Sequence, residues 1–242
     1  MKKVFNISLW TFSIICLLII MGFVNREQED VVCKNLDIRI NYDQESFFVE
    51  KEDIISIIVE KGIKLIGKPL SEIDYKYFET LISANPFIYN AEVYSTITGE
   101  LKIDIIQRRP IIRIMENGLG NNFYLDEQGK GMPLSRKYTS RVLIANGHIK
   151  KTMLDDLFIL AKYIDDNKFW KAQIQQIYVD KDEEIYLIPR VGRHKIILGD
   201  VSDLNENFSK LMIFYKKGLN TIGWNKYKTI NLKYKDQIVC TK

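Results

Sequence analysis

The sequence predicts an α+β protein with a single N-terminal transmembrane helix. A strand-helix-helix-strand-strand domain follows, and then a mixed domain with an antiparallel sheet and two helices. Three observations predict this. The run from Val4 to Asn25 carries no charge. Residues 34–109 switch between two-residue and helical apolar spacing in one order. Residues 110–242 return to short alternating runs broken by Gly, Asn and Asp. With 46% apolar and 27% charged residues, the 242-residue chain has material for a core in each part.

The run FNISLWTFSIICLLIIMGFV is almost wholly apolar. As a helix, residues 4–25 rise about 33 Å, enough to cross a hydrocarbon core of roughly 30 Å. Trp10, Ile14, Leu17 and Ile20 are its expected contacts with the lipid bilayer. Lys2 and Lys3 precede it, and Arg26, Glu27, Glu29 and Asp30 follow. The positive-inside rule puts residues 1–3 in the cytoplasm as a short tail and the bulk of the chain outside, a single-pass type II arrangement. A cleaved signal peptide needs small residues at the exit. Ile20-Met21-Gly22-Phe23-Val24 offers bulky ones, so the anchor is expected to stay. A lipid-modified cysteine is not expected either: Cys16 lies inside the run and Cys33 well after it.

Leu36, Ile38, Ile40 and Tyr42 alternate with polar residues, which predicts a half-buried strand. Ile54, Ile55, Ile57, Ile58 and Val59 follow Glu50, Glu52 and Asp53 and stop at Gly62. Acid at the start and Gly after the last turn suit a helix. Ser71-Glu-Ile-Asp74 has a hydroxyl and, three residues on, a carboxylate, which predicts a capped start for a second helix. Ile73, Tyr77 and Leu81, beside Phe78 and Ile82, form its apolar stripe, with Leu81 expected in the core. Asn85-Pro86 ends it. Ala91, Val93, Ser95 and Ile97, then Leu101, Ile103 and Ile105, alternate on either side of Thr98-Gly99, a hairpin. Two helices can cover one face of such a three-stranded sheet.

In the second domain, Tyr124-Leu-Asp126-Glu-Gln-Gly129 predicts a turn between short strands. Arg141–Ala145 is a strand ending at Asn146-Gly147. Residues 152–169 are a helix on the spacing of Leu154, Leu157, Phe158, Ala161 and Ile164. Ile174–Asp180, Glu184–Pro189 and Arg193–Leu198 form an antiparallel meander. Phe208, Leu211, Met212 and Tyr215 mark a helix ending near Gly218. Thr229–Tyr234, with Ile230, Leu232 and Tyr234 inward, and Gln237–Cys240 close the chain as strands.

Chemistry is harder to find than structure. A net +4, from 35 Lys and Arg against 31 Asp and Glu, is too mild for a nucleic-acid groove. Three Cys without a CxxC pair exclude a disulfide scaffold and argue against a zinc module. The pairs Asp155-Asp156 and Asp165-Asp166 lie about 15 Å apart along a helix, so no single ion joins them, and a solvated face is expected. His148 and His194 lie in no G-x-S-x-G elbow, P-loop or H-E-x-x-H context and are expected at the surface. No catalytic residue, metal, cofactor or small-molecule substrate is therefore expected. Two readings of Cys33 and Cys240 stand side by side: a disulfide on an oxidising side, or thiols packed as small apolar groups. Exposed aromatics would suit wall glycan, but Trp10 lies in the anchor, and Trp170 and Trp224 follow helices where packing explains them.

The first domain's element order, with the phrase LISANPFIYNAEVYSTITGELKIDIIQRRPIIRI, resembles a POTRA domain. Arg109-Pro110-Ile111-Ile112-Arg113-Ile114, Tyr124–Gly129 and Met132-Pro133-Leu134 follow it. Together they resemble the bacterial cell-division family FtsQ/DivIB: membrane helix, POTRA domain (34–109), then a C-terminal β domain (110–242). The closing Asn231-Leu232-Lys233-Tyr234 resembles the family's D-L-R-Y pattern, with one acid lost and Lys for Arg, which weakens any shared charge pairing. The resemblance implies a non-enzymatic divisome scaffold at the septum, in the inner (cytoplasmic) membrane with its bulk periplasmic. It implies partners among divisome membrane proteins: FtsB, FtsL and the associated septal wall synthases. A POTRA-type chaperone or translocation accessory, or a wall-bound hydrolase without a legible motif, are the competing classes. The implied partner site is the closing strand: Gln237, Ile238, Val239 and Cys240 carry no charge and no Pro. Such an edge is receptive to a partner's strand, with Tyr234 adding specificity.

Overall fold

The structure, a computed structural model, describes residues 10–20, 31–42, 47–116 and 122–242. Residues 10–20 are helical, and Trp10, Ile14, Leu17 and Ile20 are exposed on that helix. Among the described residues no helix is long and apolar enough to cross a membrane. Residues 10–20 are the part of the expected span that the structure describes. Its remaining parts, 4–9 and 21–25, and the flanking charges from Lys2 to Asp30 lie outside the described residues. The chain divides into two compact units, Met1–Gln107 and Arg108–Lys242.

The first unit contains β1 (Asn35–Asn41), α1 (Lys51–Glu60), α2 (Tyr75–Ser83), β2 (Ile88–Ser95) and β3 (Glu100–Gln107). The sheet order is β1-β3-β2, with β1 parallel and β2 antiparallel to β3. Leu101, Ile103 and Ile105 of the central strand are buried with Ile38, Ala91 and Val93. Ile54 and Ile58 of α1 and Phe78 and Ile82 of α2 complete the core. Gly99 at the hairpin has φ +93°, and a Cβ there would meet the Val32 carbonyl at 2.7 Å, so only glycine fits.

Two local expectations change. The start of α2 is capped by Asp74, whose side chain accepts from the Tyr77 N–H at 2.9 Å. Ser71 lies instead in a short 3-10 turn, Leu70–Glu72. Ile73 explains the delay: it is buried in an extended conformation, so the helix cannot begin before it. With that phase, Phe78 and Ile82 point inward, Leu81 is half-buried at the flank, and Tyr77 is exposed.

The second unit carries one nine-stranded sheet, larger than the meander the sequence suggests. Its strands are β4 (Pro110–Glu116), β5 (Asn122–Asp126), β6 (Gly131–Pro133), β7 (Leu143–Gly147), β8 (Ile174–Val179), β9 (Ile185–Pro189), β10 (Lys195–Ile197), β11 (Thr229–Asn231) and β12 (Val239–Thr241). Their order is β12-β11-β10-β9-β8-β7-β4-β5-β6. The sheet is mixed, because β4–β7, β7–β8 and β10–β11 pair in parallel. Parallel neighbours need a crossover, and helices supply two of them. The helices α3 (Leu154–Asp166) and α4 (Lys168–Gln173) join β7 to β8, and α5 (Leu204–Ile213) lies between β10 and β11.

The expected single helix over 152–169 is broken at Asn167. That residue is extended, and its side chain accepts from the Phe169 and Trp170 N–H groups, starting α4. The turn swings Trp170 into the core, where it packs edge-on to Phe208 at 4.9 Å between ring centres. Of the two acidic pairs on α3, Asp155, Asp156 and Asp166 are exposed as expected, but Asp165 is not on a solvated face. Asp165 is nearly buried and pairs with Arg109 at 2.9 Å and Lys171 at 2.6 Å. Those cations hold its carboxyl below the usual range against burial, which acts the other way. Beyond α5 the chain continues as a π-turn, Phe214–Leu219, that runs through Gly218 rather than ending at it.

Candidate partner-binding edge

β12 lies at one end of the nine-stranded sheet and, among the described residues, pairs only with β11: Thr229 opposite Thr241, Ile230 opposite Cys240, Asn231 opposite Val239. The Thr229 and Thr241 hydroxyls also bond across this pair. Alternation sets each side chain's direction. Ile230 is buried and Cys240 half-buried against the core, where burial raises its thiol pKa. Val239 points the other way and is 40% exposed.

The expected closing strands are shorter than their apolar pattern. The Asn231 side chain accepts from the Lys233 N–H at 3.0 Å, which turns the chain out of β11. Asp236 then takes φ +58° to send it back. Tyr234 lies in this turn and is 48% exposed, not inward as its spacing suggests. Gln237 and Ile238 lead into β12 without joining it: Gln237 is exposed, and Ile238 packs on the core. The structure thus gathers Tyr234, Gln237, Ile238, Val239 and Cys240 on one turn and edge. It adds Lys210, which the sequence did not single out, and gives Lys233 of the closing pattern a partner. Lys210 of α5 donates to the Leu232 and Tyr234 carbonyls at 3.3 and 3.0 Å. Lys233 pairs with Glu184 at 3.0 Å, tying the turn down again. No local pattern signals either contact, since the partners lie 22 to 49 residues apart.

A buried polar cluster lies at the start of β10, two strands in from the edge. His194, directly before β10, is 2% exposed rather than on the surface. Its Nδ1 lies 3.4 Å from the Trp224 carbonyl and its Nε2 3.1 Å from the Tyr215 hydroxyl. A carbonyl only accepts, so Nδ1 carries the proton and Nε2 accepts from the Tyr215 O–H. Burial lowers the imidazole pKa, with the Trp224 carbonyl acting weakly against it. Burial likewise raises the Tyr215 phenol, which also bonds Gln173. Gly192 is required here: at φ +93°, a Cβ would lie 2.5 Å from the His194 ring. The cluster is closed by aromatic packing, with Tyr215 and Trp224 ring centres 4.9 Å apart.

Cys33 and Cys240 are free thiols. Among the described residues, no group of three His, Cys, Asp or Glu is placed to hold a metal.

A POTRA-like domain model matches residues 31–106, and the model described as "FtsQ/DivIB, C-terminal related" matches residues 109–241. The cell division protein FtsQ of Rhodothermus marinus is 25% identical over 186 residues, covering 72% of this chain and 67% of that protein. The first match covers the three-stranded unit, and the second covers the nine-stranded sheet with its β12 edge. On this evidence the chain belongs to the FtsQ/DivIB family of bacterial cell-division proteins, with a POTRA-like domain ahead of the FtsQ/DivIB C-terminal domain.

Proposed function

We propose that this chain is a non-enzymatic scaffold of the divisome, needed for septum formation, and that β12 accepts a strand from a partner. The observation that carries this reading is the position of β12: the last strand of a nine-stranded sheet, with Val239 outward and no charge or Pro from Gln237 to Cys240. Protein edges that must stay unpaired are usually charged, bulged or covered. An extended partner segment would take its register from main-chain bonds to β12 and its specificity from Tyr234 and Val239. By family resemblance the strand comes from FtsB, in complex with FtsL, and the assembly couples earlier division proteins to septal wall synthases. In this reading residues 4–25 anchor the chain in the cytoplasmic membrane, and both units lie outside it at the septum.

The test is depletion followed by complementation. Cells lacking the protein should grow as filaments, and the wild-type gene should restore septa. A Val239→Lys variant, which places a charge on the edge, should accumulate in the membrane without restoring them. Normal septation on depletion would remove the division role. Full complementation by Val239→Lys, with FtsB still co-purifying, would remove the role of the edge.

A further inference from the structure

The first unit has a sheet edge too, and it is occupied. The Thr96 N–H donates to the Glu100 carbonyl at 2.9 Å, toward β3. Amides alternate in direction along a strand, so the Tyr94 and Glu92 N–H groups also face β3. Those of Ser95 and Val93 face the free side of β2. At that side the Val93 N–H meets a side chain instead of a strand: it donates to Glu79 Oε1 at 3.2 Å. Glu79 is on α2, its side chain 25% exposed, and its other oxygen pairs with Lys76 at 3.2 Å. The Val93 N–H first, and then Lys76, hold the Glu79 carboxyl below the usual carboxylate range. One helical turn earlier, the Tyr75 hydroxyl donates to the Leu70 carbonyl at 3.1 Å and lies 3.0 Å from Ser95 Oγ. Tyr75 thus holds the Ser95 side chain, while Glu79, one turn later on the same helix, takes the edge amide itself.

We propose that Glu79 is a guard that keeps the β2 edge closed to a second copy of this chain. Without the carboxylate, β2 is a self-complementary edge. Two β2 strands paired antiparallel about Val93 would set Glu92 opposite the second copy's Tyr94, and Tyr94 opposite its Glu92, with no like charges facing. The guard is a property of the first unit and stands whether or not β12 binds a partner.

The test uses the full chain in detergent, with residue-resolved amide exchange and sedimentation across a range of concentrations. In wild type the Val93 amide is protected at every concentration and the mass stays constant. Glu79→Ala should exchange Val93 about tenfold faster when dilute, the loss of one hydrogen bond. As concentration rises, protection should return over residues 91–95 together with a doubling of mass. Glu79→Gln keeps an acceptor oxygen and should match wild type. Unchanged Val93 exchange in Glu79→Ala would overturn the guard. So would fast exchange with no gain in mass at any concentration. Loss of protection at Ile103 would also overturn it, because a guard can be removed without unfolding the sheet it covers.

Discussion

Nε2 of His194 lies 3.1 Å from the Tyr215 hydroxyl, inside the second unit and directly before β10. β10 pairs with β11, and β11 with the edge strand β12, so this bond lies beside a strand two places in from the candidate partner site. Both partners are buried, so neither can turn to water when the other is lost.

The first prediction concerns that bond. Tyr215→Phe removes the donor and leaves the imidazole acceptor unpaired, which should cost about 1–3 kcal/mol. Fluorescence of Trp170 and Trp224 during urea unfolding reads the second unit, since the remaining Trp of the chain, Trp10, is already exposed on the N-terminal helix. A midpoint equal to wild type would show that the cluster carries no stability.

The same histidine gives a pH dependence. Its folded pKa is lowered by burial, so below the unfolded value, about 6.5, the unfolded chain takes up a proton that the folded chain resists. This contribution is complete above about pH 6.5 and is lost as pH falls, with a slope of up to about 1.4 kcal/mol per pH unit. Unfolding curves from pH 7.5 to 5 should show this decline, and His194→Gln should flatten it. An equal slope in both proteins would assign the decline to other groups.

A third prediction concerns the start of the second unit. Asp126 is fully buried, accepts from Arg108 at 2.6 Å, and binds the Gln128 and Lys130 N–H groups at 3.0 and 2.8 Å. Asp126→Asn removes the charge that compensates Arg108 and should cost roughly 3–5 kcal/mol. The Trp fluorescence midpoint measures it, and a loss below about 1 kcal/mol, the level of an exposed pair, would contradict the burial.

In the first unit, Ile82→Ala should cost about 2–5 kcal/mol and half-buried Leu81→Ala clearly less. Asp74→Ala should cost about 1 kcal/mol through the lost cap. Amide exchange at Ile103, a fully buried position of β3, ranks the three. Equal losses for Ile82 and Leu81 would show that the helix phase is misassigned.

Strand alternation made most of the fold legible. Leu101, Ile103 and Ile105, and likewise Ile230 and Leu232, read inward from spacing alone, because a strand has only two faces. Helix phase was less legible. Tyr77-Leu81 and Phe78-Ile82 both satisfy an i, i+4 stripe, and only the extended Ile73 decides between them. The parallel pairs of the second unit were not legible, since β7 and β8 meet across two helices and no local pattern encodes that meeting. The closing segment was legible as an uncharged edge. The outward turn of Tyr234 was not, because the Asn231 side chain and Lys210 end the strand before alternation can carry Tyr234 inward. His194 was misplaced for a similar reason: Arg193 and Lys195 look like a surface, while Gly192 and Tyr215 open a buried site for the ring between them.

The most direct measurement is amide exchange of the full chain with and without the extracytoplasmic segment of FtsB from the same organism. Strand addition predicts new protection, about tenfold or more, confined to β12 and its approach at 237–241. Val239→Lys should abolish it while the Trp fluorescence midpoint stays at the wild-type value. Binding of the segment with no change at 237–241, and with protection elsewhere instead, would contradict the assignment of this edge.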